Sequence, residues 1–249
     1  MRSGTKAAEQ LALSLHGRFR VLLIEKNSHF QHLFAFPRFA ITSTVDTQKA
    51  FIPYGDHTFG ACPPGSGKFI QAKVTGVSKS TIQLDRKVLL DNIYQDSIPY
   101  AFLIIATGTK LSPPSSMPGS EKMDGVAYLQ KHARIVSESQ QIVVIGGGAV
   151  GIQTATDIKE IYPEKSVTLV HSRKYVMNKF DPKLHDIIAD RCKELGINMK
   201  LGSRVKLPPD GYPTNGSVFD VEIEDGSMIP AEFAVRGFCP GRMRDIEDY

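Results

Sequence analysis

No two of the three cysteines, Cys62, Cys192 and Cys239, stand close in sequence. The missing C-x-x-C argues against a disulfide-stapled secreted domain, a zinc site and a dithiol redox centre. Reduced thiols in an intracellular, cytoplasmic protein are expected instead. No apolar run approaches the roughly 18 residues of a membrane span. No transmembrane segment is therefore expected, while peripheral membrane or mitochondrial association stays open. Charge lacks strong bias too: the net charge is +4, the pI about 8.9, and the basic residues are scattered. That pattern offers no specific nucleic-acid footprint. Met1, Arg2, Ser3 and Gly4 lead into a polar helical pattern rather than a secretory signal. The 249 residues suffice for one large or two modest domains with real cores.

The strongest positive signal is at 142–151. Ile142, Val143, Val144 and Ile145 run into Gly146, Gly147, Gly148, Ala149, Val150 and Gly151, and a helical pattern follows to Ile161. This is strand, G-x-G-x-x-G turn, helix. The first glycine permits φ > 0, the second admits a pyrophosphate to the backbone, and the third lets helix and strand pack closely. A second strand at 166–170 ends about 20 residues on, where a ribose contact is expected.

An earlier segment has the same order. A helix at 7–15 leads through a turn at Gly17 to a strand at 20–24 that ends on Glu25. Helix, turn and strand match the second segment in order and nearly in length, so the two read as copies of one nucleotide-binding unit. Glu25 then takes the ribose position. Only Gly4 can stand for a glycine of the first turn, so the first unit is expected to lack its N-terminal strand. A missing central strand would leave a sheet edge unpaired.

Between the units, Phe30, Phe34 and Phe36 are expected in the core, and Arg38 in a loop where a cation reaches a pyrophosphate. His29 and His32 lack acidic or cysteine partners, so no metal is expected. The stretch 42–67 reads as irregular. Strands are expected at 68–74 and 81–84 around a turn at Gly76, Val77 and Ser78, and a third at 88–93. The run 100–108 reads as a buried strand entering a small-residue turn, and 111–119 as a Pro/Ser linker. Helices follow within 125–139 and over 182–195, the latter stopped by Gly196. A strand at 197–201 precedes a hairpin of 218–223 with 228–233 across Asp225 and Gly226. The end, 236–249, shows no periodicity.

Four segments carry a family resemblance: 21–26 (VLLIEK), 34–41 (FAFPRFAI), 100–108 (YAFLIIATG) and above all 142–172. Through them the chain resembles the apoptosis-inducing-factor-like, ferroptosis-suppressor-like branch of the pyridine nucleotide-disulphide oxidoreductases. The resemblance implies an α/β fold of two dinucleotide-binding, Rossmann-like domains, the second inserted in the first. The expected ranges are 1–112 for FAD, incomplete, and 113–235 for NAD(P)H, followed by the irregular tail. It further implies that Glu25 holds the FAD ribose, that Arg38 faces the flavin nucleotide, and that Val74 offers backbone contacts to adenine. Ala106, Thr107 and Gly108 would wrap the FAD. The NAD(P)H pyrophosphate would sit on Gly146, Gly147, Gly148, Val150 and Gly151. The implied reaction is hydride transfer to flavin and on to a quinone or related small-molecule acceptor, with chemistry supplied by the cofactor.

Several residues depart from the family pattern. Gln153 replaces a glutamate near the nicotinamide, and Ala101 an aspartate. The first glycine motif is lost apart from Gly4, and the later flavin motif is absent. His171, Ser172 and Arg173 end the second unit without an acid, which favours NADPH over NADH. Two readings therefore stand: a flavin-dependent NAD(P)H oxidoreductase, or a non-catalytic NAD(P)-binding remnant of one that no longer holds FAD.

Overall fold

A computed structural model describes residues 2–42, 44–108, 114, 117 and 119–237. Helix α1 (Arg2–Ser14) runs past its expected start and leads into β1 (Val21–Glu25). The aromatic stretch forms β2 (His29–Gln31) and the short α2 (Phe36–Phe39). Phe36 is fully buried, whereas Phe34, expected in the core, is 87% exposed. Strand β3 (Phe51–Pro53) lies in the stretch read as irregular, and pairs antiparallel with β2.

The expected strand at 68–74 is two strands with different partners. β4 (Gly67–Gln71) pairs parallel with β1, Val21 opposite Gly67 and Glu25 opposite Gln71. β5 (Val74–Val77) pairs antiparallel with β6 (Thr81–Leu90). Gly76 and Val77 are therefore strand residues, and the turn begins at Ser78. The Ser78 hydroxyl accepts the Thr81 N–H at 3.1 Å and closes it. β6 continues through the expected gap and turns at Asp91 and Asn92, with φ of 53° and 64°, into β7 (Ile93–Pro99). Two successive positive φ values suit a tight hairpin, because their twist matches the flanking strands.

The run 101–108 corrects a larger expectation. It forms no strand, and Phe102, Ile104 and Ile105 are 79, 63 and 52% exposed. Apolar composition alone does not bury a strand. Its N–H and C=O groups need a neighbouring ladder, and among the described residues no strand pairs with this run. The expected linker at 111–119 lies largely outside the described residues.

The second half is more complete. Helix α3 (Lys122–Glu138) leads into β8 (Gln141–Ile145), the glycine turn, α4 (Ala149–Ile161) and β9 (Ser166–His171). Helix α5 (Pro182–Glu194) starts with the Asp181 carboxylate accepting the Lys183 N–H at 2.9 Å and with proline in its first turn. Gly196, at φ 69°, ends it. Strands β10 (Asn198–Leu201), β11 (Phe219–Glu222), β12 (Met228–Ala231) and β13 (Phe233–Arg236) complete the described fold. β11 and β12 form the expected hairpin. The residues after Ala231 do not extend it. They form β13, which joins β8 in parallel and reaches Arg236, one residue past the expected domain end. The tail at 238–249 lies outside the described residues.

The central sheet has the order β10-β9-β8-β13, all parallel. Its two inner strands, β8 and β9, are rich in β-branched residues because both faces are covered, one by helices and the other by the β11–β12 hairpin. Ile142, Val144, Ala155, Ile158, Val167 and Leu169 pack in one core across β8, α4 and β9. Two buried lysines brace that core. Lys165 donates its Nζ to the Ser137 and Ser139 carbonyls at 2.8 and 2.6 Å, satisfying the end of α3. Lys159 donates to the Lys165 carbonyl at 2.9 Å. The fold is α/β with Rossmann-like units, as the sequence implied.

Candidate functional site: a glycine turn and its facing loops

The glycine turn sits where the sheet order reverses, between β8 and β13. Ligands of such sheets bind at this switch point, beyond the C-terminal strand ends. Gly146 leaves β8 at φ 116°. A β-carbon on Gly151 would lie 1.9 Å from the Gly146 carbonyl oxygen, so only glycine permits the strand-to-helix approach. A β-carbon on Gly148 would meet nothing within 4 Å, so the space before it is open. Gly148 is also the N-cap of α4 and supplies no side-chain cap. First-turn N–H groups of a helix have no intrahelical acceptor, and they carry the positive end of its dipole. An open face with uncapped donors fits a pyrophosphate. Gly237, just after β13, approaches the same point: a β-carbon there would lie 2.1 Å from the Gly151 Cα. The sequence reading missed Gly237 because it sits at the start of an aperiodic tail.

Gly147 ties this turn to the loop after β9. Its N–H donates to His171 Nδ1 at 3.1 Å, and its carbonyl accepts the Met177 N–H at 2.9 Å. His171 is thus turned inward beneath the turn. Because Nδ1 accepts, the proton belongs on Nε2, which is buried and makes no hydrogen bond of ordinary geometry. Burial lowers the His171 pKa, the Arg173 charge lowers it further, and the nearby Tyr175 carbonyl opposes both. The ring is neutral at pH 7. Ser172 and Arg173 are exposed on the same loop. Backbone bonds pin them to the next strand end: Gly202 N–H to the Arg173 carbonyl and Ser203 N–H to the His171 carbonyl, both 2.9 Å. Ser172, Gly202, Ser203, Arg204 and Glu224 line an open cavity of about 450 Å³ beside them. The sequence reading did not include Arg204. Its Nε lies 3.6 Å from Glu224 Oε1 across this cavity, a contact made only by folding.

In the first unit Glu25 pairs in register with Gln71, three residues before Val74. The Glu25 carbonyl accepts the Ala72 N–H at 3.1 Å, two residues before Val74. Glu25 Oε1 accepts two bonds from Asn27, at 3.1 and 2.7 Å. Tyr54, also missed from sequence, reaches this end of the unit. Its hydroxyl bonds Thr5 at 3.2 Å, and burial raises its pKa, with a small contribution from the Glu25 charge. Ala106 approaches the start of α1, where a β-carbon on Gly4 would lie 2.9 Å from the Ala106 Cβ. Thr107 is half-buried and Gly108, at φ 74°, is exposed. This corner thus has a carboxylate at a strand end, the residue type that accepts a ribose hydroxyl.

Arg38 departs from expectation. It lies in α2 rather than a loop, and its Nη1 donates to Asp157 Oδ1 on α4 at 2.7 Å. Gln153 is exposed one turn earlier on α4. Among the described residues no cluster of histidine, cysteine and acidic side chains could hold a metal, and no helix is long and apolar enough to cross a membrane.

Fold and turn together define a dinucleotide-binding α/β protein built from two related units. The chain belongs to the pyridine nucleotide-disulphide oxidoreductase family, whose model matches residues 3–241. It is 34% identical over 219 residues to Fe-regulated protein 8 of Mycosarcoma maydis, covering 82% of this chain and 54% of that protein. It is 38% identical over 191 residues to the FAD-dependent oxidoreductase FVFD30 of Flammulina velutipes, covering 75% and 54%. With human ferroptosis suppressor protein 1 it shares 31% identity, covering 96% and 60%. An engineered water-forming NADPH oxidase bound to NADPH has the same fold, at a TM-score of 0.68 and 17% identity, covering 94% and 51%. The chain spans about half the length of the curated relatives it matches.

Proposed function

We propose that this protein is a flavin-dependent NAD(P)H oxidoreductase that takes hydride from NADPH in preference to NADH. The observation that carries the reading is the glycine turn, open in front of Gly148 and uncapped at α4. In this reading the N–H groups around Gly146, Gly147, Gly148, Val150 and Gly151 hold the pyrophosphate. Gln153 stands on the nicotinamide side. His171 braces the turn, while Ser172 and Arg173 face the adenosine ribose. The end of β9 itself carries no carboxylate of the kind that accepts a ribose 2′-hydroxyl. The Arg173 cation suits a 2′-phosphate.

Residues 1–112 form the flavin-binding region in this proposal and 113–235 the NAD(P)H-binding region. Glu25, Val74, Ala106, Thr107 and Gly108 hold FAD, and Arg38 faces its phosphates. Bound FAD would supply the hydride chemistry and pass electrons to a small acceptor. A quinone-like acceptor is proposed from the likeness to ferroptosis suppressor proteins. The described thiols, Cys62 and Cys192, are free, which supports a reducing, cytoplasmic setting.

One observation favours a second reading, an NAD(P)-binding remnant without flavin: the run 101–108 is exposed and pairs with no strand among the described residues. The deciding experiment is a visible absorption spectrum of the 249-residue chain after FAD is supplied and excess removed. The oxidoreductase reading expects a bound-flavin spectrum that bleaches with NADPH. A colourless protein that still binds NADPH overturns it and establishes the remnant.

A further inference from the structure

Arg38 and Asp157 lie 119 residues apart in sequence, one in each unit, yet form an ion pair at 2.7 Å. The two partners are unequally placed. The Asp157 side chain is 13% exposed and that of Arg38 is 43% exposed. The carboxylate is the anchored member and the guanidinium opens toward solvent. A guanidinium carries five donors in a rigid planar fork. Here Nη1 serves Asp157, and among the described residues the remaining donors make no hydrogen bond. The fork is oriented and largely unspent.

Asp157 shows the cost of that arrangement. Its Oδ2 is buried without a hydrogen-bond partner of ordinary geometry. Burial raises its pKa. The Arg38 charge and hydrogen bond oppose this, the Glu160 charge adds to it, and neighbouring Gln153 lowers it slightly. A carboxylate in such a place holds its charge because Arg38 is there. The Asp157 side of the pair is shielded from water, while the Arg38 side faces it.

We propose that Asp157 is a positioning residue for the first nucleotide site: it holds Arg38 so that the free donors of the fork meet a dinucleotide pyrophosphate. The inference rests on reading the first unit as a flavin site. It makes flavin affinity depend on a residue of α4, the helix that begins at the NAD(P)H glycine turn. It also ties the place of Arg38 to Gln153, one turn away on that helix.

The test is FAD titration of the full chain, followed by flavin fluorescence, with NADPH binding measured on the same preparations. Asp157→Asn is expected to weaken FAD binding about tenfold, the scale of a charge-assisted hydrogen bond, and to leave NADPH affinity within about twofold. Asp157→Glu restores FAD binding, because a carboxylate again anchors the fork. Arg38→Lys behaves like Asp157→Asn, because an ammonium lacks the planar fork. If Asp157→Asn binds FAD as tightly as the wild type or more tightly, the inference is overturned. Equal losses for FAD and NADPH would show general unfolding and overturn it too. If the wild type binds no FAD, the flavin reading itself fails and takes this inference with it.

Discussion

The two units share an order of helix and strand but not a degree of burial. In the second, β9, the strand that corresponds to β1, has neighbours on both sides, and Val167, Leu169 and Val170 are at most 1% exposed. In the first, β1 pairs only with β4 among the described residues, and all five of its residues stay half-buried. Helices α1 and α4 are each 13 residues long. The difference therefore arises at the sheet and not at the helices. A parallel strand becomes a core element only when both edges are paired and both faces covered. Where that holds, the glycine turn is packed closely between strand and helix. Where it does not, an apolar run such as 101–108 lies open.

The sharpest break of this comparison is at glycine. Gly151→Ala forces a β-carbon against the Gly146 carbonyl and is expected to cost at least about 3 kcal/mol and abolish NADPH binding, read by thermal melting with and without NADPH. Gly17→Ala in the first unit meets only its positive φ, with open space around it, and is expected to cost about 1 kcal/mol. Equal costs would mean that the units are equally packed.

Acid should strike the second unit next. His132 on α3 packs edge-on against Tyr128 and Phe233, and burial holds its pKa down to about 4. The unfolded chain binds this proton near pH 6.5. The neutral ring's contribution is thus fully present above pH 6.5, falls between 6.5 and 4, and levels off below. The shift is worth about 3 kcal/mol. Urea unfolding across that range should show the loss, and His132→Leu should flatten it. An unchanged slope in the variant would assign the acid sensitivity elsewhere.

Matched truncations sharpen the contrast in burial. Val144→Ala should cost about 2 kcal/mol and Ile104→Ala under about 0.5 kcal/mol in urea unfolding. A large loss at Ile104 would show that 101–108 is covered in solution. At the proposed nucleotide sites, Arg173→Ala should weaken NADPH about tenfold and spare NADH and FAD. Parallel titrations of the three would reveal an equal loss of NADH, which would remove Arg173 from 2′-phosphate recognition. The smallest effect is in the first unit. Asn92→Gly should stabilise the β6–β7 turn by about 0.5 kcal/mol, because glycine accepts its φ of 64° without strain. A lower melting temperature would point to a side-chain role for Asn92.

The legible parts of this protein were those with local causes. Four β-branched residues before a glycine turn marked β8, and the spacing to β9 followed from the helix between. Asp181, Pro182 and Gly196 bounded α5 by capping chemistry. The illegible parts depended on partners. Alternation at 68–77 could not reveal that β4 runs beside β1 while β5 turns to β6. Apolar composition at 101–108 could not say that no described strand would pair with it. The residues after Ala231 looked like more hairpin, yet they cross to β8 as a parallel strand. In the candidate site, the glycine triplet was visible, whereas the inward turn of His171 and the cavity beside Arg204 were not.

What the sequence determined by itself was the pair of helix–strand units and the place of the phosphate turn, because φ preference, capping and side-chain periodicity act over a few residues. Only the tertiary structure decided that Arg38 meets Asp157, that His171 serves the Gly147 N–H, and that β9 is paired on both edges while β1 pairs only with β4 among the described residues. Those outcomes depend on distances between segments far apart in the chain. Hydrogen bonds and ion pairs are spent on whichever partner folding brings within about 3 Å.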